Sequence, residues 1–222
     1  MERPARLVAV TGATGFVGPH LVAALGRHGW RVRLLVRRWS PLPSLAGVTA
    51  ELVLGDLDDT DALQRLVDGA DTVIHAGGLI KARQADQFMA VNRDGTARLS
   101  AVAGAARLLL LSSLAAREPL LSPYAASKQA AEEVVAGRAG PWLAVRAPAV
   151  YGPGDRETLA YFRAVARGLA PQPAVAGARL SLIHVEDLAE ALALAVDRPI
   201  AGSTYEIDDG QDRKSTRLNS SH

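Results

Sequence analysis

The chain of 222 residues contains no cysteine, which excludes a disulfide framework, a thiolate metal site and a cysteine nucleophile. Its five histidines are scattered without ligand spacing, so no metal centre is expected. No stretch reaches the ~18 consecutive apolar residues that a membrane-spanning helix needs. The opening Met1-Glu2-Arg3-Pro4-Ala5-Arg6 leads into a Gly-rich turn after only a few apolar residues, unlike a signal-peptide core. A soluble, cytoplasmic protein without a membrane partner is expected. Lysine is also scarce, three against 22 arginines, and no basic cluster with interleaved aromatics offers a groove for nucleic acid. What the chain does have is 49% apolar content, enough for one substantial core or one core with a small appended lobe.

Residues 212–222, Asp-Arg-Lys-Ser-Thr-Arg-Leu-Asn-Ser-Ser-His, break the composition sharply. One choice of codon for each spells a string resembling the read-through of a short-read sequencing adapter, so the segment is expected to be an artefactual tail that packs against nothing. It holds three basic residues and one acidic one, so without it the 25 basic and 23 acidic residues become 22 and 22. The net charge of +2 then vanishes and implies nothing about partners. On that reading the native sequence is cut near Gln211, and apolar surface is expected to lie exposed around Leu180, Leu182, Ile183 and Ile207.

Short apolar runs alternate with longer stretches of helical period, the pattern of βαβ units and a parallel sheet. Strands are expected over 6–11, 31–36, 51–54, 72–75, 107–111 and 143–146, with a late one over 204–207. Helices are expected over 16–28, 59–67, 84–103, 123–136, 157–167 and 186–196. The fold class is therefore α/β: a Rossmann-type doubly wound parallel sheet with helices on both faces. Composition shifts after Val150, where Gly152-Pro153-Gly154 and Pro171-Gln172-Pro173 mark loops. Residues 1–150 are read as the nucleotide-binding domain and 151–211 as a small, incomplete substrate lobe.

The first expected strand runs into Thr11-Gly12-Ala13-Thr14-Gly15-Phe16-Val17-Gly18. Glycines at this spacing let the chain turn tightly, bring backbone N–H groups against a pyrophosphate and let the helix pack closely on the strand. The helix N-terminus then faces the anion. A purely structural turn is the competing reading, and the apolar strand before and amphipathic helix after favour dinucleotide binding.

That string resembles the TGxxGxxG fingerprint of the extended branch of the short-chain dehydrogenase/reductase superfamily, the NAD(P)-dependent epimerases, dehydratases and reductases. Other segments match in order: Gly55-Asp56-Leu57, His75-Ala76-Gly77-Gly78, Val91-Asn92-Arg93-Asp94-Gly95-Thr96, Ser112-Ser113, Ser122-Pro123-Tyr124-Ala125-Ala126-Ser127-Lys128, Arg146-Ala147-Pro148-Ala149-Val150-Tyr151-Gly152-Pro153-Gly154 and His184-Val185-Glu186-Asp187. The resemblance covers residues 6–210. It implies cofactor contacts at Gly12, Thr14, Gly15, Phe16, Val17, Gly18, Asp56, Leu57, Ala76, Gly77, Lys128 and Pro148, and a homodimer.

Tyr124 and Lys128 stand four apart on an expected helix and share one face. A neighbouring ammonium favours phenolate, which is expected to pull the Tyr124 pKa toward neutral, where acid/base catalysis works best. A lysine at this position in a chain dominated by arginine suggests a task that arginine does not perform, and the resemblance implies that Lys128 also reaches the cofactor ribose. Ser113 ends a parallel strand, where open α/β sheets bind ligands, and its hydroxyl can stabilise charge on a carbonyl oxygen. Ser112 competes for that role, and the family's preference for the later serine of such a pair favours Ser113. Asn92 resembles the helix Asn of the family's proton relay, with a helix-kinking amide as the alternative. His20, His75 and His184 are read as structural.

Nineteen residues beyond Gly18, where an NAD enzyme usually places a carboxylate, the chain has Arg37 and Arg38. Two guanidinium groups suit a 2′-phosphate, so NADP(H) is favoured over NAD(H). The expected function is reversible hydride transfer between NADP(H) and a small-molecule carbonyl or alcohol through Ser113, Tyr124 and Lys128. Two alternatives stand beside it. A nucleotide-sugar epimerase or dehydratase would use the same centre, but Leu114-Ala115-Ala116-Arg117 replaces the VYG stretch usual there. A non-catalytic NADPH-binding protein would commonly have lost Tyr124 or Lys128.

Overall fold

The computed structural model describes residues 6–37, 47–168, 181–198 and 202–209. Arg38, Leu180, Pro171 to Pro173 and residues 212–222 lie outside them, so the expectations placed there are not addressed. Among the described residues no helix is long and apolar enough to cross a membrane.

Seven parallel strands form the main sheet: β1 (Leu7–Thr11), β2 (Arg31–Val36), β3 (Ala50–Leu54), β4 (Thr72–His75), β5 (Arg107–Ser113), β6 (Trp142–Ala147) and β9 (Ser203–Glu206), in the order β3-β2-β1-β4-β5-β6-β9. The chain winds outward from β1 to β3, then crosses back to place β4 on the other side of β1. The C-terminal ends of β1 and β4 therefore flank the point where strand order reverses, the crevice in which doubly wound sheets bind ligands. A second pair, β7 (Ala149–Tyr151) with β8 (Leu182–His184), is also parallel.

β1 lies at the centre of the sheet and is buried along its whole length, which is why it runs Leu7-Val8-Ala9-Val10 before Thr11. Val8 and Val10 pack with α1 (Val17–Arg27) and α7 (Val185–Asp197), whose Leu21, Leu25, Leu188 and Leu192 fill one layer. Ala9 faces the other layer, built from α2 (Thr60–Val67), α4 (Gly95–Val102) and α5 (Pro123–Ala136) through Leu63, Leu66, Leu99, Ala131 and Val135. Local signals set the helix ends. Asp59 accepts a hydrogen bond from the Ala62 amide at 2.9 Å and starts α2, while Gly29, at φ +76°, closes α1 with the left-handed residue a helix stop favours.

The helix expected over 84–103 is divided into α3 (Ala85–Phe88), a π-helical stretch Met89–Asp94, and α4. The wider winding turns Asn92 inward, where it is buried. β5 runs two residues beyond its expected end and carries Ser112 and Ser113 within the strand. β7 and β8, three residues each, had no expected counterpart. α6 (Leu159–Ala166) follows β7, whereas α7 and β9, though later in sequence, sit with the main sheet. Of the residues expected to be exposed near the chain's end, Leu182 and Ile183 are buried and Ile207 is half-buried, while Tyr205 on the edge strand and Leu194 on α7 are exposed.

Candidate functional site

Two turns meet at the switch point. Gly12 has φ +79°, and a Cβ there would lie 2.5 Å from the backbone carbon of Ala76 and nitrogen of Gly77, so the β1 and β4 turns touch backbone to backbone. A Cβ on Gly18 would lie 2.4 Å from the carbonyl oxygens of Gly12 and Ala13, which is how α1 tucks onto its turn. Gly15 differs. Its nearest neighbour would be the Gly12 carbonyl at 3.3 Å, and it lines the groove, so a side chain there would fill the cradle above the turn.

Beneath the turns, hydrogen bonds fix a buried histidine. Thr96 donates its hydroxyl proton to the Asn92 carbonyl at 2.5 Å, so its oxygen accepts from His75 Nε2 at 3.0 Å. His75 Nδ1 then accepts from the Thr11 hydroxyl at 2.6 Å, and Thr11 Oγ1 accepts from the Gly77 amide at 3.2 Å. Burial, seconded by the Lys128 ammonium, pushes the His75 pKa down to about 3. His75 is thus structural, as expected, and neutral. Because the unfolded imidazole titrates at about 6.5, the unfolded chain binds more protons between that pH and about 3. The stabilisation is complete above about pH 6.5 and declines as pH falls. A melting-temperature series is expected to show acid destabilisation setting in below that point, with a shallower slope in His75→Gln; equal slopes would contradict the assignment.

The groove comprises two adjoining cavities of about 430 and 330 Å³, sharing Gly12, Gly15, Ala76, Gly77, Gly78 and Leu79. Thr14, Arg37, Asp56 and Leu57 line one arm. Phe16, Val17, Gly18, Ser113, Tyr124, Lys128 and Pro148 line the other. The fold therefore gathers every site residue nominated from sequence except Arg38, outside the described residues, and Asn92. Asn92 sits beside the groove: Nδ2 donates to the Leu79 carbonyl at 3.0 Å and to Ser127 Oγ at 2.9 Å, and Oδ1 accepts from the Leu79 amide at 2.7 Å. It fastens the loop after β4 to α5, since Ser127 in turn donates to the Tyr124 carbonyl at 2.7 Å.

Ser122 caps α5 through the Ala125 amide at 3.1 Å, with Pro123 in the first turn, and so sets Tyr124 at the groove floor. Burial raises the phenol pKa above its ordinary value, and hydrogen bonding with Ser113 partly offsets this. Lys128 is buried and donates to the Leu111 carbonyl at 2.8 Å; burial lowers its pKa to about 8, with the Glu132 charge opposing. The expected pull of Lys128 toward phenolate is not what this geometry gives. The ammonium hydrogen-bonds to the β5 backbone, desolvation acts on both groups, and Tyr124 is held as the protonated phenol. Ser112 and Ser113 also separate. Ser112 donates to Glu132 at 2.5 Å, whereas Ser113 Oγ accepts from the Ala115 amide at 3.2 Å and faces the phenol.

Sequence reasoning missed the opposite wall. Asp155 caps the approach to α6 by accepting from the Glu157 and Thr158 amides at 2.8 and 3.0 Å, and Lys81 reaches Glu157 at 2.6 Å across the mouth. The Gly152-Pro153-Gly154-Asp155 string carried a turn-and-cap signal that could have placed Asp155. Glu132 was also missed, although it stands four residues after Lys128 on one helix. His20 and His184 have backbone partners, the Pro153 carbonyl at 3.0 Å and the Glu186 amide at 3.4 Å.

Comparison with known proteins follows the same outline. The profile of the NAD dependent epimerase/dehydratase family matches residues 8–208. A ceramide reductase of Caulobacter vibrioides is 49% identical over 198 residues, 88% of this chain and 62% of the relative's length. A 4-hydroxy-2-methyl-3-oxo-4-farnesyl-3,4-dihydroquinoline-1-oxide ketoreductase of Stigmatella aurantiaca is 30% identical over 90% of this chain and 67% of its own. The crystal structure of gox2253 superposes with a TM-score of 0.81 at 29% identity, over 96% of this chain and 72% of the other. The chain thus spans less than two thirds of the ceramide reductase it resembles.

Proposed function

The chain belongs to the NAD dependent epimerase/dehydratase family, and we propose that within it the protein is a nicotinamide-dependent reductase of a ketone carried on an apolar, ceramide-like lipid. One observation carries the reading: the Tyr124 phenol and the Ser113 hydroxyl line the same cavity as the Gly12–Gly15 turn. The cradle above Gly15 fits a pyrophosphate, and a bound nicotinamide supplies or accepts hydride. Tyr124 gives its proton to the carbonyl oxygen, and Ser113 hydrogen-bonds that oxygen as charge develops on it. Lys128 lines the same cavity one helical turn after Tyr124, its ammonium held by the Leu111 carbonyl. Its raised pKa makes Tyr124 a weaker acid than a free phenol but keeps the proton in place at neutral pH, where a reduction needs it.

The substrate class rests on the names of the two relatives and on the lining. Leu79, Ile80, Leu111, Ala147, Pro148, Ala149 and Val150 make the reacting arm mostly apolar, and Ile80, 60% exposed, extends that character to the rim. The test is consumption of reduced cofactor with ketone analogues of ceramide. Tight cofactor binding with no turnover on any ketone would favour the non-catalytic alternative instead.

NADPH is the proposed form of the cofactor, because Arg37 lines the arm beyond the glycine turn and Arg38 follows it. A charge-assisted hydrogen bond to the 2′-phosphate contributes about 1.5–3 kcal/mol, roughly ten- to hundredfold in affinity. Fluorescence titration is expected to show NADPH binding at least tenfold tighter than NADH, the preference collapsing in Arg37→Ala/Arg38→Ala. Equal affinities in the unmodified chain would overturn it.

A further inference from the structure

Behind the Tyr124–Lys128 face lies an ionic cluster that the proposed reaction does not use. Ser112 and Arg146 are register partners on β5 and β6, so their side chains leave the sheet on one face, toward α5. Glu132 collects both. Its Oε1 accepts from Ser112 Oγ at 2.5 Å and Arg146 Nε at 3.0 Å, and its Oε2 accepts from Arg146 Nη2 at 2.7 Å. The glutamate is buried, and the cluster continues outward through Arg146 to Glu206 on β9 at 3.3 Å and from Glu206 to Arg117 at 3.4 Å. Replacing a buried ion pair with apolar residues is often neutral or stabilising, so stability is a weak reason for this one. Its location is more telling: Glu132 stands one helical turn after Lys128, and its partner Ser112 lies in sequence between Leu111, whose carbonyl holds the ammonium, and Ser113.

We propose that Glu132 is a positioning residue for the Ser113–Tyr124–Lys128 group: it clamps α5 onto β5 at Ser112 and sets a fixed negative charge one turn behind the Lys128 ammonium. The clamp fixes the register between the strand bearing Ser113 and the helix bearing Tyr124. The charge opposes the desolvation that lowers the Lys128 pKa to about 8. Other groups facing Lys128 do not replace it. His75 on β4 is neutral, Tyr124 is a protonated phenol, and Arg146 on β6 is a cation. Across the cavity, Asp155 caps its own loop and Glu157 pairs with Lys81.

The significance for turnover rests on the reductase reading, but the experiment does not. The chain has three lysines, Lys81, Lys128 and Lys214, so isotope-labelled lysine gives three side-chain NMR signals, assignable with Lys81→Arg and Lys214→Arg. The Lys128 midpoint is expected to fall by about one pH unit or more in Glu132→Gln, with Lys81 and Lys214 unmoved. Should that variant fail to fold, Glu132→Leu/Arg146→Met replaces the whole pair with apolar side chains and is expected to lower the midpoint in the same direction. A merely structural glutamate would change the melting temperature and leave the midpoint in place. An unmoved midpoint in either folded variant overturns the proposal, whatever the protein's activity on ketones.

Discussion

Tyr124→Phe is expected to lower kcat for ketone reduction by roughly 10²–10⁴-fold, the usual contribution of a positioned general acid, while leaving cofactor affinity within a factor of about two. The hydroxyl is the only atom removed. The ring keeps its edge contact with Phe88, whose centroid lies 5.9 Å away, so packing at the start of α5 is preserved. Cofactor affinity is expected to survive because the Gly12–Gly15 cradle and Arg37 lie along the groove from the phenol. Ser113→Ala removes a charge-stabilising donor rather than the proton source, and a loss of about 10²–10³-fold is expected for it. Single-turnover reduction at saturating cofactor separates chemistry from product release. Turnover within tenfold of the unmodified enzyme would remove Tyr124 from the role of acid.

How far the residues announced this arrangement depended on what each signal rested on. β1, β2 and β4 were legible because buried strands carry short apolar stretches, Leu7 to Val10, Leu34 to Val36 and Val73-Ile74, and the Gly12–Gly18 turn because backbone contact leaves no freedom in residue choice. β7 and β8 left no trace, since three residues carry no periodicity and their pairing is set by distant chain. The division of the helix around Asn92 was hidden for a related reason: a π-helical stretch preserves the apolar pattern while shifting which face it presents. At the site, residue types and their shared face were readable, but electrostatics were not. Spacing put Lys128 beside Tyr124, whereas the hydrogen bond to Leu111 and the burial of both groups decided the protonation state.

Gly12→Ala is expected to abolish the fold rather than weaken binding, and the comparison with Gly15→Ala shows why. A Cβ on Gly12 would stand 2.5 Å from backbone atoms of Ala76 and Gly77, about 1 Å inside ordinary carbon contact. No side-chain rotation relieves a clash between a Cβ and a main chain. The left-handed φ of +79° adds about 1–2 kcal/mol for any residue with a Cβ. Relief requires the turns after β1 and β4 to separate, which breaks the Ala76 amide bond to the Thr11 carbonyl at 3.2 Å and the Gly77 amide bond to Thr11 Oγ1 at 3.2 Å. These hold the loop over His75, at the centre of a sheet whose total stability is about 5–15 kcal/mol. Several kcal/mol are at stake, and Gly12→Ala is expected to show a collapsed melting temperature or no folded yield. Gly15 has no positive φ, and its Cβ would approach only the Gly12 carbonyl at 3.3 Å before entering the groove. Gly15→Ala is therefore expected to melt within a few degrees of the unmodified chain while losing roughly tenfold or more in cofactor affinity, because its methyl occupies the cradle. Melting curves and cofactor titrations on the two variants separate the cases. A Gly12→Ala protein of unchanged melting temperature would mean that the two turns do not meet as described.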